Sequence, residues 1–204
     1  MTSRVNRPLF LLARRTLRCL LKPVAHVVFG FRVENSEGLP CRRRPLIVAC
    51  NHAARIDSVL AILAIRPRFT ICGARPAYFA TAPRRFLMAL ANILEVESRD
   101  QFLGDCGELL AAGETLLIYP EGQRNPEDLG EFKEWAAELA LRHDTPIVPC
   151  YLHGTTRGRR ARRRLIVGSE IEPSGDASSL TRFLREAIED LGETASSEPA
   201  RAVL

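Results

Sequence analysis

The run that most constrains this chain is Leu46-Ile47-Val48-Ala49-Cys50, which Pro45 opens and which stops abruptly at the polar pair Asn51-His52. Five consecutive apolar residues without alternation read as a strand buried on both faces, the kind found inside parallel sheets. His52 then leaves the sheet at its carboxyl end, where open α/β sheets carry their ligands. The helical pattern resumes only at Asp57-Ser58, ahead of Val59, Leu60, Ile62, Leu63 and Ile65, so Asp57 is expected as an N-cap. Positions five apart on one regular helix would point about 140° from each other. A strand-turn-helix corner instead lets His52 and Asp57 meet, as a base and the carboxylate that orients it. Two other readings fit the same residues. Asp57 can be an ordinary cap beside an ordinary turn histidine, or Cys50, two positions back on the same strand face, can be a thiol served by His52.

The same alternation continues along the chain. Strands are expected at Phe69–Cys72, Leu94–Glu97, Thr115–Tyr119, Pro146–Leu152 and Leu165–Val167, and helices at Pro83–Ala91, Gln101–Ala112, Phe132–Arg142 and Leu180–Leu191. Gly113 is a C-terminal stop signal for the second of these helices. The pattern implies an α/β fold, a largely parallel twisted sheet flanked by helices. Residues 30–192 form its one domain, and the polar, Ala-rich residues 193–204 are expected as a disordered tail.

Residues 1–29 read differently. Leu9, Phe10, Leu11, Leu12, Leu17, Leu20 and Leu21 are interrupted by Arg14, Arg15, Arg18 and Lys22, and Pro23 starts a second short apolar piece. A spanning helix needs about 20 largely uncharged residues, which this segment does not offer, and its charges also break the apolar core of a signal peptide. An amphipathic helix lying on the cytoplasmic face of a membrane is expected, with a helix packed on its own domain as the alternative. The net charge of +5 comes almost wholly from arginine, lysine occurring only at Lys22 and Lys133. The runs Arg42-Arg43-Arg44 and Arg159-Arg160-Ala161-Arg162-Arg163-Arg164 suit either solvated loops or anionic lipid headgroups. No aromatic residues are interleaved with them, so nucleic acid is not expected as a partner. Six cysteines without a Cys-x-x-Cys pair indicate neither a disulfide framework nor a zinc site, and buried free thiols of a reducing cytosol are expected.

Four polar segments at strand ends stand in a recognisable order. Asn51-His52, four residues and Asp57 resemble the first block of the PlsC-like glycerolipid and lysophospholipid acyltransferases, the 1-acyl-sn-glycerol-3-phosphate acyltransferase group. Ile93 to Arg99 is similar to their second block. Tyr119-Pro120-Glu121-Gly122-Gln123-Arg124-Asn125 is similar to their third, and Pro146-Ile147-Val148-Pro149 to their fourth. A looser echo follows in Phe132-Lys133. The resemblance implies His52 as general base and Asp57 as the group holding its imidazole. It further implies Arg99 and Arg124 as forks for an acceptor phosphate, Glu121 as a partner of an acceptor hydroxyl or of Arg124, and Gly122 as a point of close backbone approach. Asn51 and Arg55, inside the first block, are additional candidates. Departures are Gln123 in place of the usual Thr, the carboxylates of Glu95 and Glu97 beside Arg99, which would compete with a phosphate, and His153. His26, His143 and His153 lack a carboxylate at useful spacing and are expected to be structural or at the surface.

The chemistry agrees on its own terms. Moving an acyl group from a thioester to an alcohol requires the hydroxyl to lose its proton as it attacks, and imidazole, with a pKa in water of about 6.5, suits that role. The chain has no Gly-x-Ser-x-Gly elbow, so a direct displacement without a covalent intermediate is expected. The expected activity is O-acyl transfer from acyl-CoA or acyl carrier protein to a lysophospholipid or glycerol-phosphate hydroxyl, with no metal and no cofactor beyond the donor. The alternatives are a catalytically silent lipid-binding homologue and an acyl thioesterase.

Overall fold

The computed structural model describes residues 8–39, 44–65, 69–156 and 162–197. Its elements are α1 (Pro8–Phe29), β1 (Arg32–Glu34), β2 (Leu46–Cys50), α2 (Asp57–Ala64), β3 (Phe69–Ala74), α3 (Ala82–Ala91), β4 (Ile93–Glu95), α4 (Arg99–Ala111), β5 (Thr115–Ile118), α5 (Trp135–His143), β6 (Ile147–His153), β7 (Arg164–Val167) and α6 (Ala177–Ser197). The strands form one seven-stranded sheet in the order β1-β7-β6-β2-β5-β3-β4. Every pairing is parallel except β6 with β7.

The central position of β2 explains its composition. All five of its residues are buried, with β5 on one side and β6 on the other, in registers that set Ala49 opposite Ile118 and Cys50 opposite Cys150. Successive side chains alternate between faces. Ile47 and Ala49 join Leu116, Ile118 and Ile147 in a core covered by α4, α5 and α6. Leu46, Val48 and Cys50 join Leu117, Val148 and Cys150 in a second core closed by α2 and by Ala25 of α1. Because β2, β3, β4, β5 and β6 run the same way, their carboxyl ends meet at one edge of the sheet, and the polar segments emerge there.

Several boundaries depart from the expectations above. Helix α1 runs through Pro23 as one 22-residue helix rather than breaking into two pieces, forgoing only the bond that the ring nitrogen cannot donate. The edge strand β1, too short for a periodicity signal, pairs with β7. Residues 193–197 continue α6 instead of starting a disordered tail. Ala195 is buried, its carbonyl accepts from Arg164, and Ser196 Oγ donates to Gly192 O at 2.9 Å. Residues 198–204 lie outside the described residues. The basic runs are not simply solvated: Arg44 pairs with Glu170, Arg163 is buried, and Arg164 Nη1 donates to Glu34 at 3.3 Å. Arg42, Arg43, Arg159 and Arg160 lie outside the described residues. Among the described cysteines Cys50, Cys72, Cys106 and Cys150 are buried free thiols, whereas Cys19 is exposed, contrary to expectation.

Leu116 is fully buried at the centre of the larger core. Leu116→Ala is expected to lower the unfolding free energy by about 2–5 kcal/mol through lost transfer energy and the cavity left behind. The midpoint of urea denaturation checks this.

Candidate active site

The site begins where β2 ends. Asn51 is buried, and its side chain behaves as one more strand residue: Oδ1 accepts from Leu152 N–H at 2.7 Å and Nδ2 donates to Leu152 O at 3.3 Å. The pairing of β2 with β6 is thereby continued by a side chain while the backbone turns away. Asn51 braces the end of β2.

Asp57 closes the turn that follows. Its Oδ2 accepts from Ala53 N–H and Ala54 N–H, each at 2.7 Å, and lies 3.0 Å from His52 Nδ1. The carboxylate is fully buried and is the first residue of α2 rather than the expected N-cap, since Ile56 occupies the cap position. Its side chain reaches back to donors upstream of the helix instead of forward to those of the first turn. Its place on the first turn suits a negative charge, which the helix dipole favours there. An acceptor at Nδ1 favours the tautomer that carries its proton there and its lone pair on Nε2. Nε2 has no protein partner among the described residues, and the His52 side chain is 18% exposed. The ring stacks on Tyr119 with centroids 4.2 Å apart and an 18° interplanar angle. Burial pushes the Tyr119 phenol well above its usual range, and its hydroxyl meets Ser58 Oγ at 3.3 Å.

The loop after β5 grips the backbone of His52 from both sides. His52 N–H donates to Glu121 Oε1 at 2.7 Å, and His52 O accepts from Asn125 N–H at 2.8 Å. The other oxygen of Glu121 accepts from Gly130 N–H at 2.9 Å and from the Asn125 side chain. Glu121 is thus buried and saturated by its own loop. It touches neither Arg124 nor open space, against both roles expected for it.

The basic candidates scatter. Arg124, half-buried, donates from Nη2 to Tyr78 Oη at 3.2 Å. Arg99 opens α4 and is held by Glu138 of α5, its Nη2 lying 2.5 and 2.6 Å from the two carboxylate oxygens. That pairing raises the guanidinium above its usual pKa. The competitor for Arg99 is therefore Glu138, and Glu95 and Glu97, expected in that role, do not contact it. Arg55 is exposed. Gly122 has φ +65°, and a Cβ there would stand 2.9 Å from Lys133 Cε and Nζ, so the close approach it permits is to Lys133.

Burial, and next the neighbouring Cys150, push the Cys50 thiol well above its usual range, and its Sγ is 3.5 Å from Asn51 Oδ1. It is a protonated donor, which removes the thiol-nucleophile reading. His26 Nδ1 lies 3.1 Å from Phe31 O, and His143 packs against Gly107. Among the described residues no group of three His, Cys, Asp or Glu side chains is placed to hold a metal. A separate hollow of about 690 Å³ between β6, the 168–175 loop and α6 does not include His52. Sequence reasoning assigned no role to Asn125 or Tyr119. Their signal was adjacency to Arg124 and to Pro120-Glu121, but only the fold shows which backbone they meet.

An acyltransferase family model matches residues 30–153. The chain is 26% identical over 133 residues to a chloroplastic 1-acyl-sn-glycerol-3-phosphate acyltransferase of Arabidopsis thaliana, covering 62% of this chain and 37% of that protein. A 1-acyl-sn-glycerol-3-phosphate acyltransferase of Chlamydomonas reinhardtii is 26% identical over 174 residues, 74% of this chain and 50% of its own length. The chain thus spans half or less of these two relatives. A Bacillus subtilis 1-acyl-sn-glycerol-3-phosphate acyltransferase is 23% identical over 186 residues, 84% of this chain and 92% of its own. The crystal structure of the 1-acyl-sn-glycerophosphate acyltransferase PlsC from Thermotoga maritima superimposes with a TM-score of 0.74 over 93% of this chain and 83% of that chain, at 20% identity. The fold is shared.

Glu121→Ala orphans the amides of His52 and Gly130. A loss of about 2–4 kcal/mol of stability is expected from two unmet donors, measurable by chemical denaturation. Glu121→Gln, which keeps an acceptor oxygen, is expected to lose less.

Proposed function

Because this chain belongs to the acyltransferase family, we propose that it transfers a fatty acyl group from an acyl thioester, acyl-CoA or acyl carrier protein, to a hydroxyl of a glycerol-phosphate-type lysolipid. The observation that carries the reading is an imidazole whose Nδ1 is held by a buried carboxylate while its Nε2 has no hydrogen-bond partner among the described residues. Relatives named as 1-acyl-sn-glycerol-3-phosphate acyltransferases support a phosphate-bearing acceptor.

In this mechanism His52 Nε2 takes the proton of the acceptor hydroxyl as its oxygen attacks the thioester carbonyl. Asp57 stabilises the imidazolium that forms, in the manner of a hydrolase triad whose serine is replaced by the substrate. The new C–O bond forms, the C–S bond breaks, and the proton passes from His52 to the departing thiolate. No covalent acyl-enzyme is required. Tyr119 backs the ring, and Glu121 with Asn125 fixes the His52 backbone. Arg124 offers its guanidinium to the acceptor phosphate, whereas Arg99 would have to exchange Glu138 for it.

The reading also places the protein on the cytoplasmic face of a membrane, as a peripheral protein. No helix among the described residues is long and apolar enough to cross a bilayer. Helix α1 nonetheless exposes Leu12, Leu20, Val24 and Val27 beside the basic Arg15 and Lys22, and α3, packed on α1, adds Phe86 and Leu87. Such a surface partitions into the headgroup region, and each basic residue near anionic lipid adds about 1 kcal/mol.

With an acyl thioester and lysophosphatidic acid, thiol release is expected only when the acceptor is present. His52→Ala is expected to abolish it and Asp57→Asn to lower kcat by about a hundredfold or more. Full activity in His52→Ala would end the proposal, and rapid thiol release without acceptor would make the protein a thioesterase. Separately, co-sedimentation with vesicles containing anionic lipid is expected to weaken in the double variant Leu20→Asp and Val27→Asp, and to weaken in the wild type as salt rises.

A further inference from the structure

An acceptor phosphate needs cations that are not already neutralised, and the structure separates two kinds. Arg99 sits against Glu138, whose own side chain is only 12% exposed and is shared with Arg142 at 3.3 Å. Lys133 is different. Its ammonium makes no hydrogen bond or ion pair among the described residues, and it lies 4.3 Å from the centroid of the Trp135 ring. The aromatic face holds the charge without neutralising it.

The lysine, though exposed, lies against the loop that holds His52. Its Nζ and Cε stand 2.9 Å from the point where a Gly122 side chain would begin, so the ammonium rests on the residue that follows Glu121. Glu121 in turn holds the N–H of His52. Lys133 N–H donates to Pro120 O at 2.9 Å, and its neighbour Phe132 is buried. Gly130 is tied on both sides, its N–H to Glu121 and its carbonyl to Arg185 Nη1 at 3.0 Å. The strap from Gly130 to Trp135 therefore presents one compact positive charge over Gly122, the residue next to the Glu121 that holds His52 N–H.

We infer that Lys133, lying across Gly122, binds the phosphate of the acyl acceptor alongside Arg124 and so selects phosphorylated over unphosphorylated acceptors, taking the part that the resemblance implied for Arg99. The inference rests on the acyl-transfer reading above. It gives Gly122 a reason in this chain: any side chain there would occupy the place of the ammonium. It gives Trp135 one as well, since the indole keeps the lysine extended over the turn.

The test compares two acceptors of equal chain length, lysophosphatidic acid and monoacylglycerol, with one acyl thioester and the full chain. In Lys133→Gln the preference in kcat/KM for the phosphorylated acceptor is expected to fall about tenfold or more, carried by KM rather than kcat, as loss of a charge-assisted contact implies. Lys133→Arg is expected to restore part of that preference, and Arg99→Gln to change it by less than about twofold. An unchanged preference in Lys133→Gln overturns the inference, as does an equal loss on both acceptors, which would mark a merely structural lysine. A wild type that acylates monoacylglycerol as well as lysophosphatidic acid overturns it while leaving acyl transfer standing. A wild type that acylates neither removes the acyl-transfer reading itself.

Discussion

One oxygen, Asp57 Oδ2, collects three donors, the amides of Ala53 and Ala54 and the Nδ1 side of the His52 ring. Without it the turn between β2 and α2 would leave two backbone donors without partners in a half-buried place, and the imidazole would be free to rotate. Its burial makes the arrangement stringent, because a carboxylate removed from water is tolerated only when hydrogen-bonded. The same contact that closes the backbone turn thus selects the tautomer of the ring. Closing the turn and orienting the ring are one event at this corner.

A second layer supports the first from across the sheet. Glu121 and Asn125 hold the amide and the carbonyl of His52, and Asn51 ties the end of β2 to Leu152 of β6. These contacts join segments about 70 and 100 residues apart in the chain. They depend on β5 and β6 flanking β2 in a parallel sheet, so that three carboxyl ends arrive together. Residues that resemble a substrate-binding block are thereby turned inward. Glu121 is spoken for by the loop it belongs to, and neither Arg124 nor Lys133 nearby is paired with it.

How much of this was legible varies by element. Strand β2 and the strand Thr115–Ile118 were plain, because central strands buried on both faces are written mostly with apolar residues, and the polar Asn51-His52 after β2 marks where the backbone leaves the sheet. Helix starts were less so. Asp57 reads as a cap because Asp commonly is one, yet here the side chain turns back toward its own preceding turn. The end of α6 was missed because Glu193 to Ser197 carries few apolar residues. Its helical state leans on a buried Ala195 and on Arg164, more than thirty residues earlier.

The site divides along the same line. That His52 and Asp57 act together could be read from their spacing at a strand-turn-helix corner, since hydrogen-bond reach over five residues is a local property of the backbone. The fate of Arg99, Glu121 and Lys133 could not. Arg99 depends on Glu138, brought up by α5, while Glu121 and Lys133 depend on how the loop after β5 folds back on itself, setting Gly130 against Glu121 and Gly122 with Trp135 against Lys133. Residue order alone established the alternation of strands and helices and the pairing of His52 with Asp57, because these follow from periodicity and short-range geometry. Which charges are neutralised and which remain open was decided only when packing set distant side chains within hydrogen-bond distance of one another.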